Sequence, residues 1–538
     1  MKSFDLGSEA QALARPRPSA ASFGRRINDA ANRFSEALER HKPVVLAVFS
    51  IAFFLLTIYR ASRKLFWFDE LFTVYLSRLP DMKSVWQAVT HGADFNPPFL
   101  YLITRVSERA FGEGQIATRL PEILGFWVFC LCLFRFVSLR LSVLSACVSM
   151  LFPLVTGAYY YAYEARAHGL VLGFCGVALI SWQAAADRET RRTWWLFALG
   201  GSLACALFTH SYAFLIFAPI VLGELARAAS RKRLDWPVCV TIAVGSLGML
   251  ATVPLVHRAI SEVGSRPYFS ATLRRIVLVY ADLLKPAAGV LVGWLLLTWI
   301  VRRRTERVEQ EAGFRAYEVV ALCALVAVPV FEYAAAKLMS APFLSRYGIS
   351  AVAGIAGLLG AAVRKKPAVA IGTLLLLVGQ IGFAALRFAS GSVLREPTSA
   401  YEISTRIRDF DERYKWVAVY KTLPIVLVDD LDFMPTAYYA PPSVASRLVY
   451  LPWSAVYDIN GEGTARLRAC CNSEPPVLGA ADFLASHDAF LVYGGPRFAY
   501  LLSNFVKAGA TITKEQETPD HFLVLVTFPK RIAEESSR

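Results

Sequence analysis

Phe66-Trp67-Phe68-Asp69-Glu70-Leu71-Phe72-Thr73 places two adjacent carboxylates among aromatic residues, a few positions past the first long apolar run of the chain. A second polar cluster follows at Asp94-Phe95-Asn96-Pro97-Pro98-Phe99-Leu100-Tyr101. Taken alone, an Asp-Glu pair here reads as a helix start in solvent, and Asn96-Pro97-Pro98 reads as another. If the runs around them cross a membrane, the same residues lie at its surface, where ionisable groups point to function. The rest of the chain decides between these readings.

The chain has 538 residues, 55% of them hydrophobic and 18% charged. A soluble domain carries about 25% charged residues, so this composition, with a mean hydropathy of +0.43, is that of a polytopic membrane protein. The net charge of +15 falls in short clusters between apolar runs, as topology signals do. No contiguous basic face is visible, which excludes nucleic-acid binding. Seven cysteines (Cys130, Cys132, Cys147, Cys175, Cys205, Cys239, Cys323) lie inside apolar runs and read as small buried side chains. Cys470 and Cys471 are adjacent and outside those runs, either as a vicinal disulfide or as two thiols.

Residues 1–42 are polar and basic and read as a loosely ordered cytoplasmic tail. Residues 43–59 form the first span. Further apolar runs at about 118–138, 141–158, 167–186, 193–209, 211–226, 236–256, 286–301, 316–338, 346–363 and 367–388 bring the candidates to eleven. With the N-terminus cytoplasmic, Arg135/Arg140, Arg188/Arg191/Arg192, Arg231/Lys232/Arg233, Arg302/Arg303/Arg304 and Arg364/Lys365/Lys366 all fall inside, as the positive-inside rule requires. Counting 97–111 as a span would reverse every later loop. Its apolar positions 99, 100, 103, 106 and 110 instead predict an amphipathic helix at the interface, capped by Asn96 with Pro97 in its first turn. After 388 the character changes. Pro424–Asp429, Arg447–Leu451, Ala489–Tyr493 and His521–Phe528 read as strands of a small α/β domain.

On this topology the unusual polar residues collect at the outer face. They are Asp69, Glu70 and Asp94, then Glu164, Arg166 and His168 after a tyrosine run, His210 and Tyr212 at a turn, and Arg346-Tyr347 at the start of the tenth run. Each has a bland alternative, such as a snorkelling arginine or a packing histidine; their joint placement favours function. A carboxylate among aromatics suits a general base, and arginines at the boundary suit a phosphate. Together they fit attack by an acceptor on a sugar whose leaving group is a lipid phosphate, with inversion at the anomeric centre. Asp69 is the expected base and Arg166 and Arg346 the expected phosphate ligands. Glu70, Asp94 and Glu164 would orient sugar or acceptor, and Asn96, His210, Tyr212 and Tyr347 would line the substrate pocket. Asp69, Glu70, Asp94 and Glu164 are equally the candidate oxygen ligands of a divalent metal.

Asp69-Glu70 after the first span, Asp94-x-Asn96-Pro97-Pro98-x-x-Tyr101, Phe111-Gly112 followed by Thr118-Arg119-Leu120, Tyr163-Glu164-Ala165-Arg166, Thr209-His210-Ser211-Tyr212 and Ser345-Arg346-Tyr347 resemble the C-type (GT-C) membrane glycosyltransferases. Within them the pattern is similar to the bacterial branch of protein O-mannosyltransferases and lipid A aminoarabinose transferases (glycosyltransferase family 39-like), over roughly 43–350. The resemblance implies a polyprenyl-phosphate sugar as donor, an exoplasmic active site and the first Asp of the pair, Asp69, as base. Asn96, Phe99 and Ala167-His168 depart from the usual residues at their places.

The expected architecture is therefore a polytopic α-helical membrane protein, GT-C-like with about eleven transmembrane helices, and an exoplasmic α/β C-terminal domain. Its parts are a tail (1–42), a transmembrane catalytic domain (43–388, with the active site on the outer loop 60–117) and the outer domain (389–538). The expected setting is a bacterial inner membrane, with a lipid-linked donor, the lipid bilayer and a glycan, lipid or protein acceptor as partners. Two other readings compete, a lipid or sugar transporter (flippase) and a non-catalytic scaffold. The first needs polar residues near mid-membrane, and the second leaves Asp69, Asp94, Glu164 and Arg346 without a role. Convergence of those four on one outer cavity favours the enzyme.

Overall fold

The computed structural model describes residues 20–187, 190–264, 270–302, 313–364, 366–390, 415–427, 429–451, 463–467, 480–495, 499–519 and 521–528. Cys470 and Cys471 lie outside the described residues.

The chain enters through α1 (Ala20–Arg40), where a loosely ordered tail was expected. Phe23, Ile27, Ala30, Ala31, Phe34 and Leu38 recur at helical spacing among the arginines. Ala31 is buried and Leu38 packs on the membrane core, so the apolar stripe outweighs the basic composition. The first span, α2 (Lys42–Arg63), leads into three short helices of loop 60–117, α3 (Phe68–Ser77), α4 (Met82–Thr90) and α5 (Phe99–Phe111), and then into α6 (Gln115–Ser138).

Every apolar run read from the sequence contains a helix. Among the described residues seven helices are long and apolar enough to cross a membrane. The number is nine if two bent pairs count as one span each, Val143–Val155 with Gly157–Tyr163 and Ala316–Val326 with Val328–Met339. The second pair bends 57° beside Pro329, which has no backbone N–H to continue the ladder. The two remaining runs are Arg192–Thr209 and the shorter Ala351–Val363. Loops assigned to one side meet one another. Arg140 pairs with Asp187 and Glu318, Arg315 with Asp187, and Arg192 and Arg227 both with Asp235.

α7 (Val143–Leu151) precedes α8 (His168–Asp187), which packs closely on α6. A Cβ on Gly173 would lie 2.6 Å from the Gly125 carbonyl oxygen, and one on Gly125 2.7 Å from that of Gly169. Small residues allow this backbone approach in a membrane, where helices associate by packing.

α5 begins after Pro98, and its cap is not Asn96, whose side chain turns instead to Asp94. Its polar face is the buried one. Arg105 reaches the carbonyls of Ser77 and Leu79, and Glu108 takes Arg78, Ser77 and Thr118. Leu102, Val106 and Phe111 point outward. This is the orientation of a helix whose solvent is lipid.

The C-terminal part holds a five-stranded sheet in the order β2-β1-β3-β5-β4. β1 (Ile425–Leu427), β2 (Leu448–Tyr450) and β3 (Ala489–Gly494) are parallel, while β4 (Thr511–Glu517) and β5 (Phe522–Thr527) run antiparallel. All four expected strands are present. β4 was missed because an edge strand reading TITKEQE shows polar side chains where alternation was sought. The two faces of the sheet have different partners. Val426, Val449, Phe490, Val492 and Val524 pack with Phe483 and Phe505 of the domain's own helices. Ile425, Leu427, Tyr450, Leu491 and Leu523 join a core with Phe66, Trp67, Phe68, Leu71 and Leu100 of loop 60–117. Loop 60–117 and the C-terminal domain are thus built on one core.

Candidate active site

Asp69 and Glu70 both stand in the first turn of α3, where carboxylates favour the helix dipole. Successive helical residues differ by about 100° in direction, and the two carboxylates part accordingly. Glu70 is fully buried and accepts Arg119 Nε at 2.7 Å, Arg119 Nη2 at 2.8 Å and the Ala165 N–H at 2.7 Å. It also accepts the Trp67 N–H, which closes the start of α3. Burial opposes its charge, but Arg119 and Lys64 hold its carboxyl below the usual range. Arg119 in turn donates to the carbonyls of Ala61, Lys64 and Leu65, which end α2. Glu70, expected to orient substrate, instead has its acceptor capacity taken by Arg119, Ala165 and Trp67, which fix the α2–α3 corner.

Asp69 turns the other way, onto a cavity of about 230 Å³. Its Oδ2 accepts Arg346 Nη1 at 2.7 Å, and Oδ1 has no partner among the described residues. Arg346 arrives on the turn Ser345–Gly348 and makes no other hydrogen bond among the described residues, leaving Nε and Nη2 available. Burial works against its charge and Asp69 supports it, so the guanidinium stays firmly protonated.

Asp94 sits beside this pair and is saturated. Arg166 Nη1 lies 2.7 Å from Oδ2 and Nη2 3.3 Å from Oδ1. Tyr101 donates its hydroxyl at 2.8 Å, the Phe95 N–H binds at 2.7 Å, and Asn96 Nδ2 lies within 3.4 Å. Burial alone would raise the Asp94 pKa, but Arg166, Tyr101 and the Phe95 N–H bring it below the usual carboxylate range. Arg166 also donates to the Asp69 carbonyl at 3.1 Å. Expected as a phosphate ligand, it has its terminal nitrogens on Asp94 and ties the two aspartate segments together.

The wall opposite is aromatic. Tyr212 and Tyr347 stack with ring centroids 4.0 Å apart, and Tyr212 donates to the Pro342 carbonyl. His210 lies 5.1 Å from Tyr347 and 5.2 Å from His168, centroid to centroid. Burial, then Arg166 and Arg346, push the His210 pKa down to about 3, so the ring is neutral. Its Nδ1 accepts the Tyr212 N–H at 3.1 Å. A neutral imidazole accepting at Nδ1 carries its hydrogen on Nε2. Further along, the cavity is bounded by Met249, Val256, Ala335 and Met339 from two apolar helices.

Asp69, Asp94 and Arg346 converge on this cavity with Asn96, Arg166, His210, Tyr212 and Tyr347. Glu164 does not. It is buried behind the wall, 3.8 Å from Lys64 Nζ, with no hydrogen-bond partner at Oε2 among the described residues. Burial and the nearby Glu70 and Asp69 outweigh Lys64 and raise its pKa to about 7. Among the described residues no group of three or more His, Cys, Asp or Glu side chains is placed to hold a metal ion. The four candidate oxygen ligands each face a basic partner instead: Arg346 for Asp69, Arg166 for Asp94, Arg119 and Lys64 for Glu70, and Lys64 for Glu164.

Sequence reasoning missed two members. Glu262, at the end of a transmembrane helix, and Arg466, from segment 463–467 of the C-terminal domain, reach the cavity and pair at 2.6 Å. Nothing local in GTARL marks Arg466; only the shared core brings it there.

No protein-family model and no curated protein matches this sequence. Two solved structures share its fold. ArnT from Cupriavidus metallidurans bound to undecaprenyl phosphate aligns with a TM-score of 0.53 at 15% identity, over 89% of this chain and 97% of ArnT. ArnT in the apo state aligns with the same TM-score at 14% identity, over 91% and 98%. The fold is the polytopic helical GT-C fold expected from the sequence.

Proposed function

We propose that this protein transfers a sugar from a polyprenyl-phosphate donor to an acceptor at the exoplasmic face of a bacterial inner membrane, inverting the anomeric carbon, with Asp69 as general base. One observation carries this: Asp69 is the carboxylate of the cavity whose second oxygen has no partner among the described residues, and it is joined to an arginine with nitrogens to spare. Oδ1 accepts the proton of the acceptor hydroxyl as that oxygen attacks the anomeric carbon. The bond from that carbon to the phosphate oxygen breaks, and the phosphate leaves with the electron pair toward Nε and Nη2 of Arg346. Arg346 thereby links base and leaving group. Asp94 and Arg166 hold the segment carrying Asp69. The apolar end of the cavity suits an isoprenoid tail, and ArnT, of the same fold, was solved bound to undecaprenyl phosphate.

The test is sugar release from labelled polyprenyl-phosphate donors by the purified protein, with water or a glycan, lipid or protein acceptor, for wild type and Asp69→Asn. The variant is expected to lose about 10²–10⁴-fold in rate while remaining monodisperse. Equal rates would rule out Asp69 as the base.

A further inference from the structure

Among the described residues three carboxylates line the cavity, and each is already matched by arginine. Asp69 pairs with Arg346 at 2.7 Å, Asp94 with Arg166 at 2.7 Å, and Glu262 with both Arg258 and Arg466 at 2.6 Å. A sugar ammonium entering here would meet no carboxylate in want of a cation. Asp94 already takes three side chains and a backbone N–H, and in the proposed reaction the open oxygen of Asp69 must take the acceptor's proton. Burying an ammonium without its own partner is strongly unfavourable. The remaining polar wall is uncharged: two histidines, the stacked tyrosines, Asn96, Ser211 and Thr252.

From this charge balance we infer that the donor's sugar is uncharged, bearing hydroxyls but no amino or carboxyl group, a conclusion that rests on the transferase reading above. His210 supplies a fixed Nε2–H donor, because its Nδ1 is occupied by the Tyr212 N–H. The Tyr212–Tyr347 pair supplies a flat aromatic surface whose negative face suits the polarised C–H bonds of a sugar ring. The field of Arg166 and Arg346 that helps keep His210 neutral acts in the same sense on a sugar ammonium. A sugar carboxylate is disfavoured for another reason. The donor phosphate takes the open nitrogens of Arg346, leaving a second anion to face Asp69, the phosphate and arginines already held by Asp94 and Glu262.

The experiment compares kcat/KM of the full-length protein for three polyprenyl-phosphate donors of equal lipid length, carrying a neutral hexose, an amino sugar and a uronic acid. The neutral donor is expected to be used at least about tenfold better than either charged one, a difference of about 1.4 kcal/mol. An amino or acidic donor used equally well or better overturns the inference while leaving the transferase reading in place. No release from any donor overturns both. A second arm uses His210→Asp, which adds a fourth carboxylate to the cavity wall. It is expected to raise relative use of the amino-sugar donor about tenfold or more, and an unchanged preference in the folded variant overturns the inference.

Discussion

Arg119→Met would leave the fully buried Glu70 carboxylate without its bidentate partner, and breaking a buried pair from one side costs about 3–5 kcal/mol. The expected outcome is a clear fall in apparent Tm in detergent, partly reversed by adding Glu70→Gln, because removing both charges is far milder than removing one. A double variant no better than the single would mean that Arg119 acts mainly through the α2 carbonyls it binds. Glu164 makes the converse case. Its carboxyl rises from 4.5 to about 7 on folding, so between those values the folded state holds more protons than the unfolded one. The contribution of Glu164 to stability is then greatest below about 4.5 and is lost as pH rises through about 7. Glu164→Gln is expected to flatten that dependence and to stabilise the protein above pH 7 by up to about 3 kcal/mol. Thermal unfolding across pH measures it; an unaltered slope would show that Glu164 is not the titrating group.

Helix packing carries the next level. Gly125, Gly169 and Gly173 let α6 and α8 approach at backbone distance, and α8 begins directly after the Glu164–Arg166 segment of the site. Gly173→Leu forces the helices apart, since the obstacle is the Gly125 backbone and not a side chain that can rotate. Both stability and sugar release are expected to fall, by more than 1–3 kcal/mol in stability. A variant with wild-type Tm would show that the contact is looser than its geometry. α5 shows how far an element can be read from its sequence. Its amphipathic period is plain, but which face turns inward is not. Leu102 and Val106 face out because the buried face satisfies Arg78, Arg105 and Glu108.

At the scale of the whole molecule, two sets of loops gather separately. One holds the ion pairs around Asp187, Asp235 and Glu318, and the other holds the cavity and the C-terminal sheet. We place the second set outside. In a background lacking Cys470 and Cys471, Gln516→Cys on the exposed edge strand is then expected to react with an impermeant maleimide in intact cells. Arg231→Cys is expected to react only after permeabilisation. The reverse pattern would invert the proposed topology and move the cavity to the cytoplasmic face. Because one face of the sheet completes the core of loop 60–117, the C-terminal domain is part of the site's framework.

The sequence by itself determined what depends on local periodicity and on composition. The apolar runs, the four hydrophobic strands and the common side of Asp69, Asp94, Arg166, His210 and Arg346 follow from lipid as solvent and from the positive-inside bias, which act on each segment separately. The tertiary structure decided everything that depends on a partner distant in the chain. Asp69 and Glu70 are adjacent carboxylates in the sequence, and Arg119, 49 residues on, together with the Ala165 N–H draws one of them inward. Glu164 looked like a site residue until burial placed it behind the wall. Arg466 had no signal, because its role comes from a core shared between segments hundreds of residues apart. A carboxylate's function is set by which cation and how much water it meets, and both are properties of the packed molecule.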